Sequence, residues 1–202
     1  MTESPGIVIR RPIPDDSASA GRVFEAAIAD AFAREGLENE SEEIEHEISL
    51  KKRLLAKALD RETAGNGSSP PLFLVAEQDS EVIGTISFGP CSREVRECAE
   101  GRLNEVGELG TLYVRPDLQD CGIGSALISA LMRELQRLGI HEFCLDSGYR
   151  RAQARWKRKF GEPYAVVPDY WGPGVPHMVW YCRVLQSRPG TESEQRDFLF
   201  QP

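Results

Sequence analysis

The sequence predicts a mixed α/β fold, and two observations carry that prediction. Segments with strand and helix periodicity follow one another as strand, two helices, hairpin, strand, helix, strand, helix and strand. The apolar run Leu109-Gly110-Thr111-Leu112-Tyr113-Val114 then leads through Gln119-Asp120-Cys121-Gly122-Ile123-Gly124 into an amphipathic segment reaching Leu138. A strand, a short glycine-bearing loop and a helix start, in that order, aim backbone N–H groups at an anion. First-turn donors lack intrahelical partners and carry partial positive charge, and glycines let a phosphate come close.

Taken in order, Gly6 to Arg11 alternates weakly and reads as a first strand, ended by Pro12 and Pro14. Asp15, Asp16 or Ser17 caps a helix whose apolar positions are Val23, Ala27, Ile28, Ala31 and Phe32. Residues 41–61 read as a second helix carrying Ile44, Ile48, Leu50, Leu54, Leu55 and Leu59, with a charged, solvent-facing opposite side. Residues 64–71 form a loop. Leu72–Ala76 and Val82–Phe88 pair as a hairpin across Gln78-Asp79-Ser80-Glu81. Residues 90–104 are polar and read as a loop before the strand Val106–Val114. The helix Ile123–Leu138 has positions 123, 127, 128, 131, 135 and 138 on its apolar side and Gly139 at its end. Phe143–Leu145 is a short strand, Arg150–Phe160 a basic helix and Met178–Leu185 the last strand.

A length of 202 residues suits one domain, expected over residues 6–186, with a mobile tail over 187–202. The net charge of −8 speaks against general nucleic-acid binding; it suits cationic substrates by attraction, or simple solubility. No basic segment leads into an apolar core at Met1-Thr2-Glu3-Ser4-Pro5, and no run approaches the roughly 18 apolar residues of a membrane span. Five cysteines are odd in number and irregularly spaced, and the three histidines are scattered. Neither a disulfide framework nor a metal site is expected. The expectation is a reduced cytoplasmic protein with no metal, membrane or nucleic-acid partner.

The glycine loop differs from the better-known phosphate loops. No Gly-Lys-Ser/Thr follows, and the third glycine slot of a dinucleotide fingerprint holds Leu127. What remains resembles the pyrophosphate motif of the GNAT N-acetyltransferase superfamily, Gln/Arg-x-x-Gly-x-Gly/Ala. Leu112-Tyr113-Val114-Arg115-Pro116-Asp117-Leu118 before it and Ser125-Ala126-Leu127 after it are similar to the family's context. More loosely, the resemblance runs from about Ile7 to Leu185. It implies a central mixed, mostly antiparallel sheet with helices on both faces. The strands ending at Val114 and near Asp146 would splay apart to admit acetyl-CoA as co-substrate. It also implies acetyl transfer to a primary amine of a small molecule or peptide, by direct attack in a ternary complex. The backbone of Leu112, Tyr113 and Val114 would pair with pantetheine. Gln119, Asp120, Cys121, Gly122, Ile123, Gly124 and Ser125 would hold the pyrophosphate. A homodimer is compatible with this reading.

Acetyl transfer needs a base for the amine, donors for the oxyanion, a proton for the thiolate and positioning of both partners. Glu108 is the candidate base: alternation places it with Val106, Gly110, Leu112 and Val114, and a carboxylate among apolar neighbours needs a partner or a task. The alternative is a strand-end residue facing solvent. Cys121 is read as a small loop residue, with a redox role as the competitor. The family's usual acid is a tyrosine in the helix after the splayed strand, and this chain departs from that pattern. Counting back from Gly161 puts Lys157 in the slot, whereas matching Ala152 puts Trp156 there. Tyr149 and Tyr170 are nearby in sequence, and Tyr170 is the candidate acid. Six of the ten residues from Arg150 to Lys159 are basic, either as a solvated face or as a reader of the CoA 3′-phosphate. In Asp169-Tyr170-Trp171-Gly172-Pro173-Gly174-Val175-Pro176-His177, stiff neighbours suit Trp171 and His177 to binding the acceptor, with Asp169 or His177 holding an ammonium. Core packing of the rings is the alternative. Against the transferase stand a silent acyl-CoA-binding sensor and, more remotely, an interaction module.

Overall fold

The computed structural model of the chain describes residues 6–60 and 71–184. The expected tail over 187–202 and most of the loop over 64–71 lie outside the described residues. The chain divides into two compact units: one holds the described residues up to Gly89 together with Leu109–Leu131, the other Pro90–Glu108 and the described residues from Met132 onward.

In the first unit, strands β1 (Val8–Arg10), β2 (Leu72–Gln78), β3 (Glu81–Gly89) and, from Leu109 onward, β4 (Glu108–Val114) are neighbours in that order. Both β1–β2 and β2–β3 pair antiparallel. The hairpin is tighter than its sequence suggested. Gln78 pairs with Glu81, leaving a two-residue turn in which Asp79 and Ser80 both have positive φ, the hand that matches strand twist. Helix α1 (Ser17–Arg34) lies against β3 and buries Val23, Phe24, Ala27, Ile28 and Phe32. Helix α2 (Ser41–Leu59) packs on α1 and buries only Leu55 fully; Leu50 is exposed rather than part of an apolar face. Asp16, just before α1, accepts from the Arg10 guanidinium and the Ile13 N–H. Burial works against its charge, but those donors outweigh it and hold the carboxyl below its ordinary value.

Helix α4 (Ile123–Arg137) starts in this unit and meets β3 at Gly84. A Cβ on Gly84 would lie 3.1 Å from Leu127 Cδ1 and 3.2 Å from the Tyr113 carbonyl oxygen, so a larger residue would press its neighbours apart by a few tenths of an ångström. The helix ends as its sequence predicts. Gly139 has φ +70°, and the Ile140 N–H returns to the Leu135 carbonyl at 2.9 Å. Leu138 falls beyond the last turn and is exposed, not part of the apolar side.

In the second unit, Glu108 at the head of β4 pairs parallel with Cys144 of β5 (Glu142–Ser147). β5 pairs antiparallel with β7 (His177–Arg183), and β7 with β6 (Ala165–Val167). Register and alternation put Cys144, Asp146, Val179 and His177 on one face, which helix α3 (Arg93–Cys98) covers. Phe143 and Trp180 lie on the other, against helix α5 (Arg150–Phe160): Phe143 packs edge-on to Phe160, and the Trp180 indole donates to the Gly161 carbonyl at 3.0 Å. α3 and β6 were not foreseen. The first occupies the stretch read as loop, capped by the Ser92 hydroxyl on the Val95 N–H and anchored by buried Val95 and Cys98. β1–β2, β2–β3, β5–β7 and β6–β7 are antiparallel and the Glu108–Cys144 bridge is parallel, so the sheet is mixed and mostly antiparallel.

Candidate functional site

The glycine loop of the first unit has the features its sequence promised. After a 3-10 turn at Pro116–Leu118, Asp120 (φ +64°) and Gly122 (φ +86°) reverse the chain into α4. The first bond inside the helix runs from the Ala126 N–H to the Gly122 carbonyl at 3.0 Å. The N–H groups of Ile123, Gly124 and Ser125 therefore stand ahead of the helix's own acceptors. Asp120, Cys121, Gly122 and Ser125 are exposed, and a Cβ on Gly122 would meet nothing within 4 Å. A Cβ on Gly124 would meet only Val114 Cγ2, at 3.9 Å. This is a cradle open to an anion, with a fifteen-residue helix behind it. Gln119 makes one long contact, Nε2 to the Val114 carbonyl at 3.5 Å.

Strand β4 leads into that loop, and its extended backbone is interrupted at Thr111. This buried β-branched residue has φ +52°, a conformation L residues seldom adopt. Its carbonyl accepts from Thr85 Oγ1 at 2.8 Å and its hydroxyl accepts from Ser87 Oγ at 2.9 Å. These two buried hydroxyls on β3 hold the irregularity in place; the alternation of burial runs from Glu108 through Gly110 to Leu112 and is lost at Tyr113 and Val114. Leu112, Tyr113 and Val114 are half-buried. The Tyr113 phenol is occupied structurally, donating to Glu47 at 3.1 Å with its ring edge-on to Phe24, which leaves the backbone as the segment's offering.

The second unit gathers the other candidates. Glu108 is half-buried and its carboxylate accepts the Ser92 N–H at the start of α3. His177 is 3% exposed, with Nε2 at 2.9 Å from Asp146 Oδ2 and Nδ1 accepting the Trp171 indole N–H at 2.9 Å. Tyr170 stacks edge-on against Trp171 and donates its phenol to Glu97 at 2.7 Å. That bond, helped by some burial, raises the phenol to about 12. Tyr170 also packs on the cluster of Cys91, Val95, Cys98, Cys144 and Val179. The Asp169 carboxylate accepts the Gly174 N–H of its own turn. Cys91 and Cys144 are free thiols with sulfurs 3.2 Å apart, and burial pushes both upward from the usual thiol range. Among the described residues, no group of three or more His, Cys, Asp or Glu is placed to hold a metal ion, and no helix is long and apolar enough to cross a membrane.

The model of the acetyltransferase (GNAT) family matches residues 27–161, two thirds of the chain and the whole of the glycine loop. The chain belongs to the GNAT acetyltransferase family. Solved structures agree on the fold. A putative GNAT-family acetyltransferase from Desulfovibrio desulfuricans is 20% identical, with a TM-score of 0.65 over 89% of this chain and 100% of that one. PaiA N-acetyltransferase from Thermoplasma acidophilum, in complex with coenzyme A, is 21% identical, with a TM-score of 0.60 over 88% and 99%. YncA, a putative acetyltransferase from Salmonella typhimurium with its cofactor acetyl-CoA, is 18% identical, with a TM-score of 0.58 over 93% and 99%. No curated protein matches the chain significantly.

In this member of the GNAT acetyltransferase family, neither occupant of the usual tyrosine slot offers a phenol. Trp156 packs on Phe160, with centroids 5.6 Å apart, and Lys157 lies 3.7 Å from Glu162. Sequence reasoning missed Thr85 and Ser87, whose signal was no more than two hydroxyls on an apolar strand. It also missed Asp146, a carboxylate at the end of an apolar run that invited the question of its partner.

Proposed function

We propose that this GNAT acetyltransferase transfers acetyl from acetyl-CoA to a primary amine of a small molecule or peptide, by direct attack in a ternary complex. The observation that carries the reading is the open cradle at the start of α4, where glycines leave room and Ile123, Gly124 and Ser125 present backbone donors. Bound there, acetyl-CoA supplies an activated acetyl thioester. Gln119, Asp120, Cys121, Gly122, Ile123, Gly124 and Ser125 hold the pyrophosphate, and the Leu112–Val114 backbone pairs with pantetheine and polarises the thioester carbonyl. Glu108 takes a proton from the amine. As the C–N bond forms and the C–S bond breaks, the thiolate leaves with a proton from Tyr170 or from water. Trp171 and His177 serve the acceptor. The site requires no metal, and a soluble cytoplasmic protein acting alone or as a homodimer fits the reading.

One observation favours a second reading, an acyl-CoA-binding sensor that turns over little. The phenol proton of Tyr170 is directed to Glu97, and the tyrosine slot of α5 holds Trp156 or Lys157. Incubation with acetyl-CoA, a panel of primary amines and a thiol reporter separates the two. Amine-dependent release of CoA is expected. A coenzyme A-induced thermal shift without release would establish the sensor, and absence of both would reject the cradle as a CoA site.

A further inference from the structure

The most organised constellation outside the glycine loop is the seat of Trp171 in the second unit. The ring is 55% exposed, yet its edge is fixed. The indole N–H donates to His177 Nδ1, and because that nitrogen accepts, it carries no proton. The neutral ring's proton therefore sits on Nε2 and is donated to Asp146 Oδ2. Val179 pairs with Asp146, so His177, two residues earlier on β7, lies on the same face and within reach. Gly148 completes the seat: a Cβ there would stand 2.6 Å from Trp171 Nε1. The turn is held by its own bonds as well, from the Trp171 N–H to the Val175 carbonyl and from the Val175 N–H to the Gly172 carbonyl.

Burying a histidine and keeping a glycine to anchor a ring that stays mostly in solvent gains little for folding. It gains a great deal for recognition, because an indole face of fixed orientation attracts cations better than any other side-chain ring. Two carboxylates belong to the seat itself: Asp146 holds His177, and Glu97 accepts the phenol of Tyr170, whose ring lies edge-on to Trp171. Arg93 is paired with Glu97, and Arg150 and Arg151, next after Gly148 and Tyr149, open the basic helix α5.

We infer that Trp171 is the platform for a primary ammonium group of the acceptor, and that Asp146, His177 and Gly148 are positioning residues that fix its ring. The inference rests on the acetyl-transfer reading and adds to it the side chains that hold the acceptor's charge. The ammonium is the form that docks, and loss of its proton to Glu108 precedes attack.

The test uses the full chain carrying Trp156→Phe, so that Trp171 reports by fluorescence beside buried Trp180. Butylammonium chloride should give a saturable change, with uncharged butanol binding at least tenfold more weakly. Trp171→Ala removes the reporter, so its binding is read by calorimetric titration, where butylammonium should bind at least tenfold more weakly than to the parent. His177→Ala and Asp146→Ala should weaken binding at least fivefold, and Asp146→Asn, whose amide oxygen still accepts from Nε2, should recover to within twofold. In turnover the same variants should raise the acceptor KM by the same factors, with kcat and acetyl-CoA affinity within threefold. Should His177→Ala fail to fold, Trp171→Phe, which keeps a ring but not the donor, carries the same expectation of at least fivefold, read by calorimetric titration. Equal binding of butylammonium and butanol, or parental binding by Trp171→Ala, overturns the inference. Failure of the acetyl-transfer reading looks different: no amine releases CoA, while the fluorescence pattern at Trp171 stands.

Discussion

Replacing Gly124 with valine separates cofactor binding from folding more cleanly than any other change in the loop. Gly124 lies in the first turn of α4 with an ordinary helical backbone, and an added Cβ would meet only Val114 Cγ2, at an unstrained 3.9 Å. Valine is a better helix former than glycine by a few tenths of a kcal/mol, so stability should stay within about 1 kcal/mol, or roughly 2–4 °C. What the side chain takes away is the space in front of the first-turn N–H groups. Each charge-assisted bond to a phosphate oxygen contributes about 1.5–3 kcal/mol, so losing one weakens acetyl-CoA at least about tenfold, the equivalent of about 1.4 kcal/mol. Gly122 would be a poorer choice, because its φ of +86° strains any other residue and mixes folding with binding. Calorimetric titration with acetyl-CoA, beside a thermal melt, reads both effects. S-acetylpantetheine, which lacks the pyrophosphate, should bind parent and variant alike. A folded Gly124→Val protein with parental acetyl-CoA affinity would mean that the cofactor binds elsewhere.

Glu108→Gln keeps an oxygen for the Ser92 N–H, so the melt should not move. Turnover at neutral pH should drop about a hundredfold with acetyl-CoA affinity intact, and a parental rate with a parental pH profile would exclude Glu108 as the base. Tyr170→Phe should lower turnover more than it weakens acetyl-CoA. Because the Glu97 contact raises the phenol to about 12, its proton is retained through pH 7–9, and the deficit should be constant over that range. The sign follows from the raised value: stabilisation by the bond is complete below the unfolded phenol's ordinary pKa of about 10 and is lost as pH rises through the folded value. A deficit that vanishes between pH 8 and 9 would rule the phenol out as the acid. Gly84→Ala forces a methyl against Leu127, Ile123 and the backbone oxygen of Tyr113, at 3.1–3.3 Å, and should cost about 1–3 kcal/mol by overpacking. A melting temperature at or above the parent's would show that β3 and α4 can separate without penalty.

The sequence was most informative where structure is local. The extents of α1, α4 and α5, the pairing of β2 with β3 and the glycine loop follow from neighbours within a few positions and stand close to where they were expected, although Asp16 precedes α1 without a side-chain cap bond. The misses are short or held from a distance. α3 has six residues and β6 three, too few for a periodic signal, and both exist because the face of β5 and β7 gives them something to cover or pair with. The turn of β4 at Thr111 has no local cause. Nothing in Leu-Gly-Thr-Leu asks for a positive φ at a threonine, and the two hydroxyls that hold it are more than twenty residues away.

The same division runs through the functional residues. A glycine loop that opens a helix is made of consecutive backbone groups, so the segment Gln119 to Ser125, proposed as the pyrophosphate site, was legible from its letters alone. The sequence by itself determined the family, the glycine loop and the residue types available for chemistry. Only the tertiary structure decided that Asp146, His177 and Trp171 form one chain of hydrogen bonds. Asp146 and His177 are 31 positions apart, and the pairing of β5 with β7 brings them to one face. Pairing register depends on which surfaces are buried together, and a property of the packed core cannot be read from either strand alone.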